Sequence, residues 1–178
     1  IQKTYPVSDT FADGQIVGVS FTDGVDFEIV PAFYHQNGHF IYPNTNGGGR
    51  WQTTDPLPEI KAIKDINNET NQNLKKVCRM MRHFVRANNV PMGGMLIDTL
   101  TARFLRNWEY RDKSYLYYDW LFRDLFLFLS DQDSTQTTFV SIGSNRKMNR
   151  TGVFERKAKT AYLNAVEAIE NADKGYEY

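Results

Sequence analysis

Two carboxylates, Asp26 and Glu28, stand two positions apart in the strand-like segment Val-Asp-Phe-Glu-Ile-Val at 25–30. Because side chains alternate along a strand, both carboxylates point to one face and the apolar residues beside them point to the other. The segment is predicted to form a buried strand that ends at Pro31. Ionised carboxylates are rarely buried alone and repel each other, so this pair requires solvent, a basic neighbour or a metal ion.

A column of cations lies on the helix that is predicted over 71–87. At ~100° per residue, its members fall within about 60° of one another. We call this group the basic column: Lys75, Arg79, Arg82 and Arg86. Like charges four residues apart destabilise an isolated helix slightly, and no acidic residue lies between these cations in the sequence. The column therefore favours an anionic partner, and a solvated basic face is the alternative interpretation.

The composition limits the class of protein. Of 178 residues, 21 are Lys or Arg and 21 are Asp or Glu, which argues against a polycation that holds nucleic acid along its whole surface. A hydrophobic content of 41% indicates a packed globule. The only cysteine, Cys78, excludes an internal disulfide and favours the reducing cytoplasm. No apolar run approaches the ~20 residues that cross a bilayer, so no membrane span is predicted.

The elements that must position these groups change type once along the chain. Up to about residue 50 the pattern is that of strands, with a hairpin over 15–21 and 25–30 and a shorter strand at 39–43. Helical periodicity follows at 57–67, 71–87, 95–108, 114–129 and 151–171. Strands that precede helices in this way predict an α+β fold, with a helical bundle packed beside a sheet.

Segments with this order and spacing resemble a known family. Three segments resemble parts of the cGAS/DncV-like bacterial nucleotidyltransferases and of their animal relatives, the oligoadenylate synthetases: GVDFEIVPAF, WQTTDP and LKKVCRMMRHF. Later segments resemble the same family: PMGGMLIDTL, YYDWLFRDLFLFLS and the C-terminal GVFERKAKTAYLNAVEAIE. The resemblance implies that 1–50 holds strands of a polymerase-beta-like antiparallel sheet, and that 51–178 is a helical domain of the oligoadenylate synthetase type.

The resemblance also implies roles for the acidic residues and for a metal. Glu28 stands where the family has its third catalytic, metal-binding carboxylate, and Asp26 stands where it has a flanking acid. In such enzymes two Mg²⁺ (or Mn²⁺) ions activate the attacking ribose hydroxyl and stabilise the leaving pyrophosphate. We therefore expect the carboxylates to face an active-site cleft.

Nucleotide-binding residues follow from the same resemblance. Arg79 matches a family arginine, and Arg82 stands where the family usually has lysine. With Lys75, these residues are expected to bind the triphosphate of ATP, GTP or another NTP. Ser144 is expected beside the nucleotide. The product would be a cyclic or linear oligonucleotide second messenger in antiphage signalling, with a regulatory protein as a further partner.

Two departures from the family pattern qualify these roles. Glu28 is one methylene longer than the usual Asp, and Mg²⁺ demands strict geometry. The sequence has no Gly-Ser turn that is followed by Asp-x-Asp, the motif that supplies the family's first two metal ligands. Asp131 and Asp133 have the spacing of Asp-x-Asp, but they are predicted to lie in a solvated turn. With Ile1 as the first residue, the chain is expected to be a C-terminal fragment, inactive without its missing N-terminal part.

Alternative functions remain open at the level of sequence. The same fold with a degenerate site would bind nucleotides without joining them, and a helical domain with a basic face would bind an acidic protein or RNA. His35 and His39 are predicted to be structural, since no third zinc-type ligand lies near them in the sequence. The tryptophans are predicted to be core or anchoring aromatics: Trp51, Trp108 and Trp120.

Overall fold

A computed structural model describes the backbone of residues 1–175 and the side chains of residues 1–172. The chain divides into two compact units, Ile1–Pro56 and Leu57–Tyr178. Within the described residues, the first unit holds six strands, and the second holds five α-helices and one two-stranded hairpin. The α+β fold class predicted from sequence is confirmed.

One sheet of the first unit contains the predicted hairpin. Strands β1 (Asp9–Asp13), β2 (Ile16–Ser20) and β3 (Asp26–Ile29) form an antiparallel sheet in the order β1-β2-β3. Gly24 has a φ of 82° in the turn between β2 and β3, a conformation that glycine adopts without strain. The sheet therefore places Asp26 and Glu28 on a hairpin strand, as predicted.

The other sheet of the first unit is also antiparallel. Its strands are β4 (Phe33–Tyr34), β5 (Phe40–Asn44) and β6 (Arg50–Thr54), in the order β4-β5-β6. Strand β5 confirms the short strand predicted at 39–43, whereas β6 was not predicted because a glycine-rich loop precedes it. Thr45 in that loop donates its backbone N–H and its hydroxyl to the Gly14 carbonyl.

Strand β3 is exposed on both faces, and the prediction that it is buried is wrong for the described residues. Phe27 and Ile29 lie opposite Val19 and Val17 of β2. Of these four residues only Val19 is buried, while Phe27 is 53% exposed and Ile29 is 41% exposed. Alternation identified an apolar face correctly, but alternation does not reveal whether another element covers that face.

The second unit contains the predicted helices with small shifts at their ends. These are α1 (Leu57–Glu69), α2 (Asn73–Ala87), α3 (Gly94–Asn107), α4 (Tyr118–Ser130) and α5 (Glu155–Gly175). A 3-10 turn at Tyr115–Tyr117 precedes α4, so the helix predicted from residue 114 begins later. A short hairpin of β7 (Thr138–Val140) and β8 (Lys147–Asn149) separates α4 from α5, and it was not predicted.

A contiguous hydrophobic core holds the second unit together. Its fully buried members come from the helices, from the hairpin and from the segment before α5, and they include Ile66, Leu74, Met81, Leu100, Leu121, Leu125, Phe139 and Phe154. Trp108 is buried in this core as predicted, whereas Trp51 of the first unit is 63% exposed. No helix in the described part of the chain is long and apolar enough to cross a membrane.

Candidate functional site

Asp26 and Glu28 lie on one face of the β1-β2-β3 sheet together with further acids. Opposed residues on adjacent strands project from the same face, so the register assigns the members of this face. We call it the acidic face, and it consists of Asp9, Phe11, Asp13, Ile16, Gly18, Ser20, Asp26 and Glu28. All four of its carboxylates are exposed, and Asp13 accepts a hydrogen bond from the Asn46 amide at 3.2 Å.

The ring of Phe11 covers Gly18 in the middle of the acidic face. A Cβ atom at Gly18 would lie 2.2 Å from Cζ, 2.3 Å from Cε1 and 2.7 Å from Cε2 of Phe11. Such similar, short distances to three neighbouring ring atoms mean that the ring lies flat over the glycine. Phe11 remains 54% exposed, so its outer side faces solvent. Gly18 is directly opposite Glu28 in the register.

The acidic face does not supply a complete metal site by itself. In the described residues, no three His, Cys, Asp or Glu side chains come close enough together to hold a metal ion. A carboxylate such as Glu28 suits Mg²⁺, which prefers oxygen ligands and is usually bound by one or two carboxylates together with substrate phosphates. The residues present therefore offer a contribution to such a site and no more.

Cations of helix α2 line a cleft in the second unit. The cleft has a volume of about 210 Å³, and its lining residues are Ile63, Leu74, Lys75, Cys78, Arg79, Arg82 and Asp98. Helix α2 turns Leu74 and Cys78 toward the core while Lys75 and Arg79 stay exposed beside them. The amphipathic spacing of the helix therefore brings together, along one opening, three of the four cations of the basic column, without Arg86.

One member of the basic column has an acidic neighbour on another helix. An Nη atom of Arg82 lies 2.6 Å from Oδ2 of Asp98, a residue of helix α3. Among the ion pairs of the described residues, none involves Lys75, Arg79 or Arg86. The sequence pattern revealed the spacing along α2 and could not reveal which residue of α3 lies against it.

The Cys78 thiol lies in the same cleft and is held in its neutral form. Burial raises its pKa, and the negative charge of Asp98 and a hydrogen bond to it raise it further, to about 12. The same carboxylate thus contacts both the thiol and the Arg82 guanidinium. Asp98 is the residue of this cleft that sequence reasoning missed, because nothing in its own segment marks it as unusual.

Ser144 contacts the carboxylate of Glu59 and is not among the residues that line the cleft on α2, which we call the cationic cleft. Oε1 of Glu59 accepts hydrogen bonds from the Ser141 hydroxyl at 2.7 Å, from the Ser144 backbone N–H at 3.1 Å, and from the Ser144 hydroxyl. Gly143 makes this approach possible, because a Cβ there would lie 2.4 Å from the Pro58 carbonyl. The contacts tie the β7-β8 turn to the start of α1. A role for Ser144 beside a nucleotide stays a prediction.

Hydrogen bonds lower the pKa of the Glu59 carboxyl. Burial acts in the opposite direction and is the largest single influence, but the hydrogen bonds from Ser144 and Ser141 together outweigh it. A carboxylate that accepts several hydrogen bonds is stabilised in its charged form. Glu59 therefore stays ionised as an anchor for the turn.

The remaining candidates behave as structural groups. His35 and His39 stack with their ring centroids 4.8 Å apart and their planes 16° apart, at the end of the β4-β5 hairpin. Imidazole binds a metal in its ring plane, so two nearly parallel, stacked rings cannot direct their lone pairs at one ion. Asp133 accepts from the backbone and hydroxyl of Thr135 in a solvated turn, as predicted for that segment.

Comparison with known proteins gives a family match and similarity to a solved structure. Residues 1–67 match the Second Messenger Oligonucleotide or Dinucleotide Synthetase (SMODS) domain. The structure is similar to that of the STING-associated CdnE c-di-GMP synthase from Capnocytophaga granulosa, with a TM-score of 0.69 and 16% sequence identity. The alignment covers 98% of this chain and 60% of that one. No curated protein matches the chain.

The resemblance to the cGAS/DncV-like nucleotidyltransferases is thereby confirmed. The family match stands on residues 1–67, and at this level of identity the structural similarity shows the fold alone. The chain spans 60% of the length of its solved relative.

Proposed function

We propose that this chain is part of a nucleotidyltransferase that joins NTPs into a cyclic or linear oligonucleotide second messenger. The observation that carries the proposal is the cleft on α2, where Lys75, Arg79 and Arg82 converge in a chain whose residues 1–67 match a second-messenger synthetase domain. A triphosphate needs several convergent cations, because charge develops on its oxygens as pyrophosphate leaves.

Each cation of the cleft has a distinct part in holding the triphosphate. Lys75 and Arg79 are in none of the ion pairs of the described residues, so they contribute their full charge to an incoming phosphate. Arg82 is held by Asp98, which fixes its guanidinium at the rim of the cleft and offsets part of its charge. Arginine suits this position because its planar fork binds two phosphate oxygens at once.

The acidic face supplies Glu28 to the reaction in this proposal. An exposed carboxylate on a hydrogen-bonded strand can orient an attacking ribose hydroxyl, and it can serve as one ligand of Mg²⁺ or Mn²⁺. Asp26 on the same strand adds negative charge beside it. Further metal ligands would come from outside the described residues, which offer no cluster of three.

The remaining part of the protein is the first partner that the proposal requires. The solved relative is longer than the region that this chain matches, and Val25, directly before β3, forms an exposed apolar row with Phe27 and Ile29 of β3. A large exposed apolar patch marks an interaction surface. A further segment of the same protein, packed on that row, would bury it and stiffen the strand that carries Glu28.

The biological setting belongs to the same proposal. The structural relative is described as a STING-associated synthase of c-di-GMP, a cyclic dinucleotide signal. A comparable synthase here would act in the cytoplasm on ATP, GTP or other NTPs, in antiphage signalling, under the control of a regulatory protein partner.

Pyrophosphate release by the full-length protein tests this proposal. With labelled NTPs and Mg²⁺, we expect labelled oligonucleotide together with stoichiometric pyrophosphate. Glu28→Gln should abolish turnover, whereas Glu28→Asp should retain it because Asp is the usual family residue. Arg79→Ala should impair turnover, and Arg86→Ala, on the same helix but outside the cleft lining, is the matched control.

Two outcomes would replace the proposal with another function. NTP binding without pyrophosphate release would identify a degenerate nucleotide-binding module, which the longer side chain of Glu28 favours. Failure to bind any NTP would leave a helical interaction domain whose basic column contacts an acidic partner.

A further inference from the structure

Phe11 combines two properties on the surface of its sheet. Its ring lies flat against the bare backbone of Gly18, which fixes its orientation, yet the residue is 54% exposed. A flat, fixed and exposed aromatic ring offers a π-face on which another planar group can stack at little entropic cost.

The register places this ring beside the carboxylate of the proposed reaction. Phe11, Gly18 and Glu28 form one row across β1, β2 and β3 on the acidic face. Neighbouring strands lie about 4.8 Å apart, so the ring over Gly18 is one strand away from Glu28. A nucleoside has the same arrangement, with a planar base next to a ribose.

We propose that Phe11 is a stacking platform for the base of the nucleotide whose ribose hydroxyl lies at Glu28. The inference rests on the proposed function, because only that function assigns a hydroxyl to Glu28. Stacking uses the π-face that every base has, so the platform accepts purines and pyrimidines and contributes to affinity more than to base choice.

A purely structural role for the ring makes a different prediction. An aromatic side chain over a strand glycine shields the backbone and stabilises the sheet, and any apolar side chain of similar size serves that purpose. A stacking platform requires the π-face itself. Phe11→Leu and Phe11→Tyr therefore separate the two roles, since both cover Gly18 and only tyrosine keeps the aromatic face.

The test is nucleoside monophosphate binding to the full-length protein in EDTA, where neither metal nor turnover is needed. The probes are AMP, GMP, CMP and UMP, with ribose 5-phosphate as the probe that lacks a base. We expect Phe11→Leu to weaken binding of all four monophosphates by about tenfold, and Phe11→Tyr to leave it near wild type. Ribose 5-phosphate should bind all variants equally.

A matched control and a second readout keep the test decisive. Phe33 is 58% exposed in the other sheet of the same unit, and Phe33→Leu should change nothing. Saturation transfer from protein to ligand should reach the base protons more strongly than the ribose protons in wild type, and lose that preference in Phe11→Leu. Circular dichroism confirms that each variant is folded.

The outcomes distinguish this inference from the proposed function. Equal monophosphate binding by wild type and Phe11→Leu, or no base-dependent binding by wild type, would overturn the platform even if the protein releases pyrophosphate. Base-dependent binding that requires an aromatic residue at position 11 would support the platform even if turnover is never observed.

Discussion

The acidic face and the cationic cleft are surfaces of opposite charge that differ in how they are supported. The cleft is lined by α1, α2 and α3, and its lining residues Leu74 and Cys78 belong to a continuous buried core. The acidic face belongs to a three-stranded sheet whose opposite side exposes Phe27 and Ile29. The cleft is thus held in shape by contacts within the described residues, whereas these residues leave the side of the sheet opposite the acidic face partly exposed.

The largest expected effects test this difference in support. Leu74→Ala should lower the free energy of unfolding of the second unit by about 2–5 kcal/mol, because the buried residue leaves a cavity. Phe27→Ala should cost residues 1–178 less than about 1 kcal/mol, because that ring is already half exposed. Chemical denaturation of both variants measures the two values.

The same pair of variants in the full-length protein sharpens the comparison. If a further segment covers the apolar row on β3, the cost of Phe27→Ala should rise to a few kcal/mol there, as for a buried aromatic. An unchanged small cost in the longer protein would mean that nothing covers that row.

A second prediction concerns the buried ion pair that fixes the loop before α5. Arg150 contacts Glu155 at 2.5 Å and donates to the carbonyls of Ser134 and Gln136, and its ion-pair partner is almost fully buried. Arg150→Ala should destabilise the second unit by about 3–5 kcal/mol, because it leaves a buried carboxylate without its cation. Arg150→Ala with Glu155→Gln should recover part of that loss, and no recovery would contradict the explanation.

A smaller effect is expected from the acid within the cationic cleft. Asp98→Asn removes the negative charge that offsets Arg82, so triphosphate affinity should rise a few-fold.

The same change removes two of the causes that raise the pKa of Cys78, namely the charge of Asp98 and the hydrogen bond to it. The pKa of Cys78 should therefore fall below about 12, while burial keeps it above the ordinary thiol value. The pH dependence of thiol alkylation measures the shift, and an unchanged profile would show that Asp98 does not act on the thiol.

The smallest predicted effect is the pH dependence at Glu59. Its pKa is lower in the folded chain than the ordinary value of 4.5, so its contribution to stability is present above that value and is lost as pH falls through the folded pKa. As pH falls through that folded pKa, wild type should lose stability that Glu59→Gln does not lose, by an amount that solvent screening reduces. Parallel stability curves for the two proteins would contradict the assignment.

Sequence periodicity predicted what depends on local pattern. The helix around Arg79 and the hairpin that carries Glu28 follow directly from apolar spacing and turn residues. The short β7-β8 hairpin was missed because three-residue strands leave too little periodicity to detect. The exposure of Phe27 was also missed, because alternation shows which side is apolar and not what covers it.

The candidate site was predictable in its charges and less so in its contacts. Lys75, Arg79 and Arg82 share one helix, so helical spacing alone places them together. Asp98 contacts Arg82, and Glu59 contacts Ser144. Both contacts join residues that are distant in sequence, so local pattern does not reveal them. Phe11 over Gly18 depends on strand register, which sequence alone leaves undetermined.

The most direct test of the central claim is equilibrium binding of a nonhydrolysable NTP to the full-length protein and to two variants of helix α2. Arg79→Ala should weaken binding by about 10- to 100-fold, the value of a charged contact to phosphate, and Arg86→Ala should change it little. Equal affinities for wild type and Arg79→Ala would contradict the assignment of the cleft to the triphosphate.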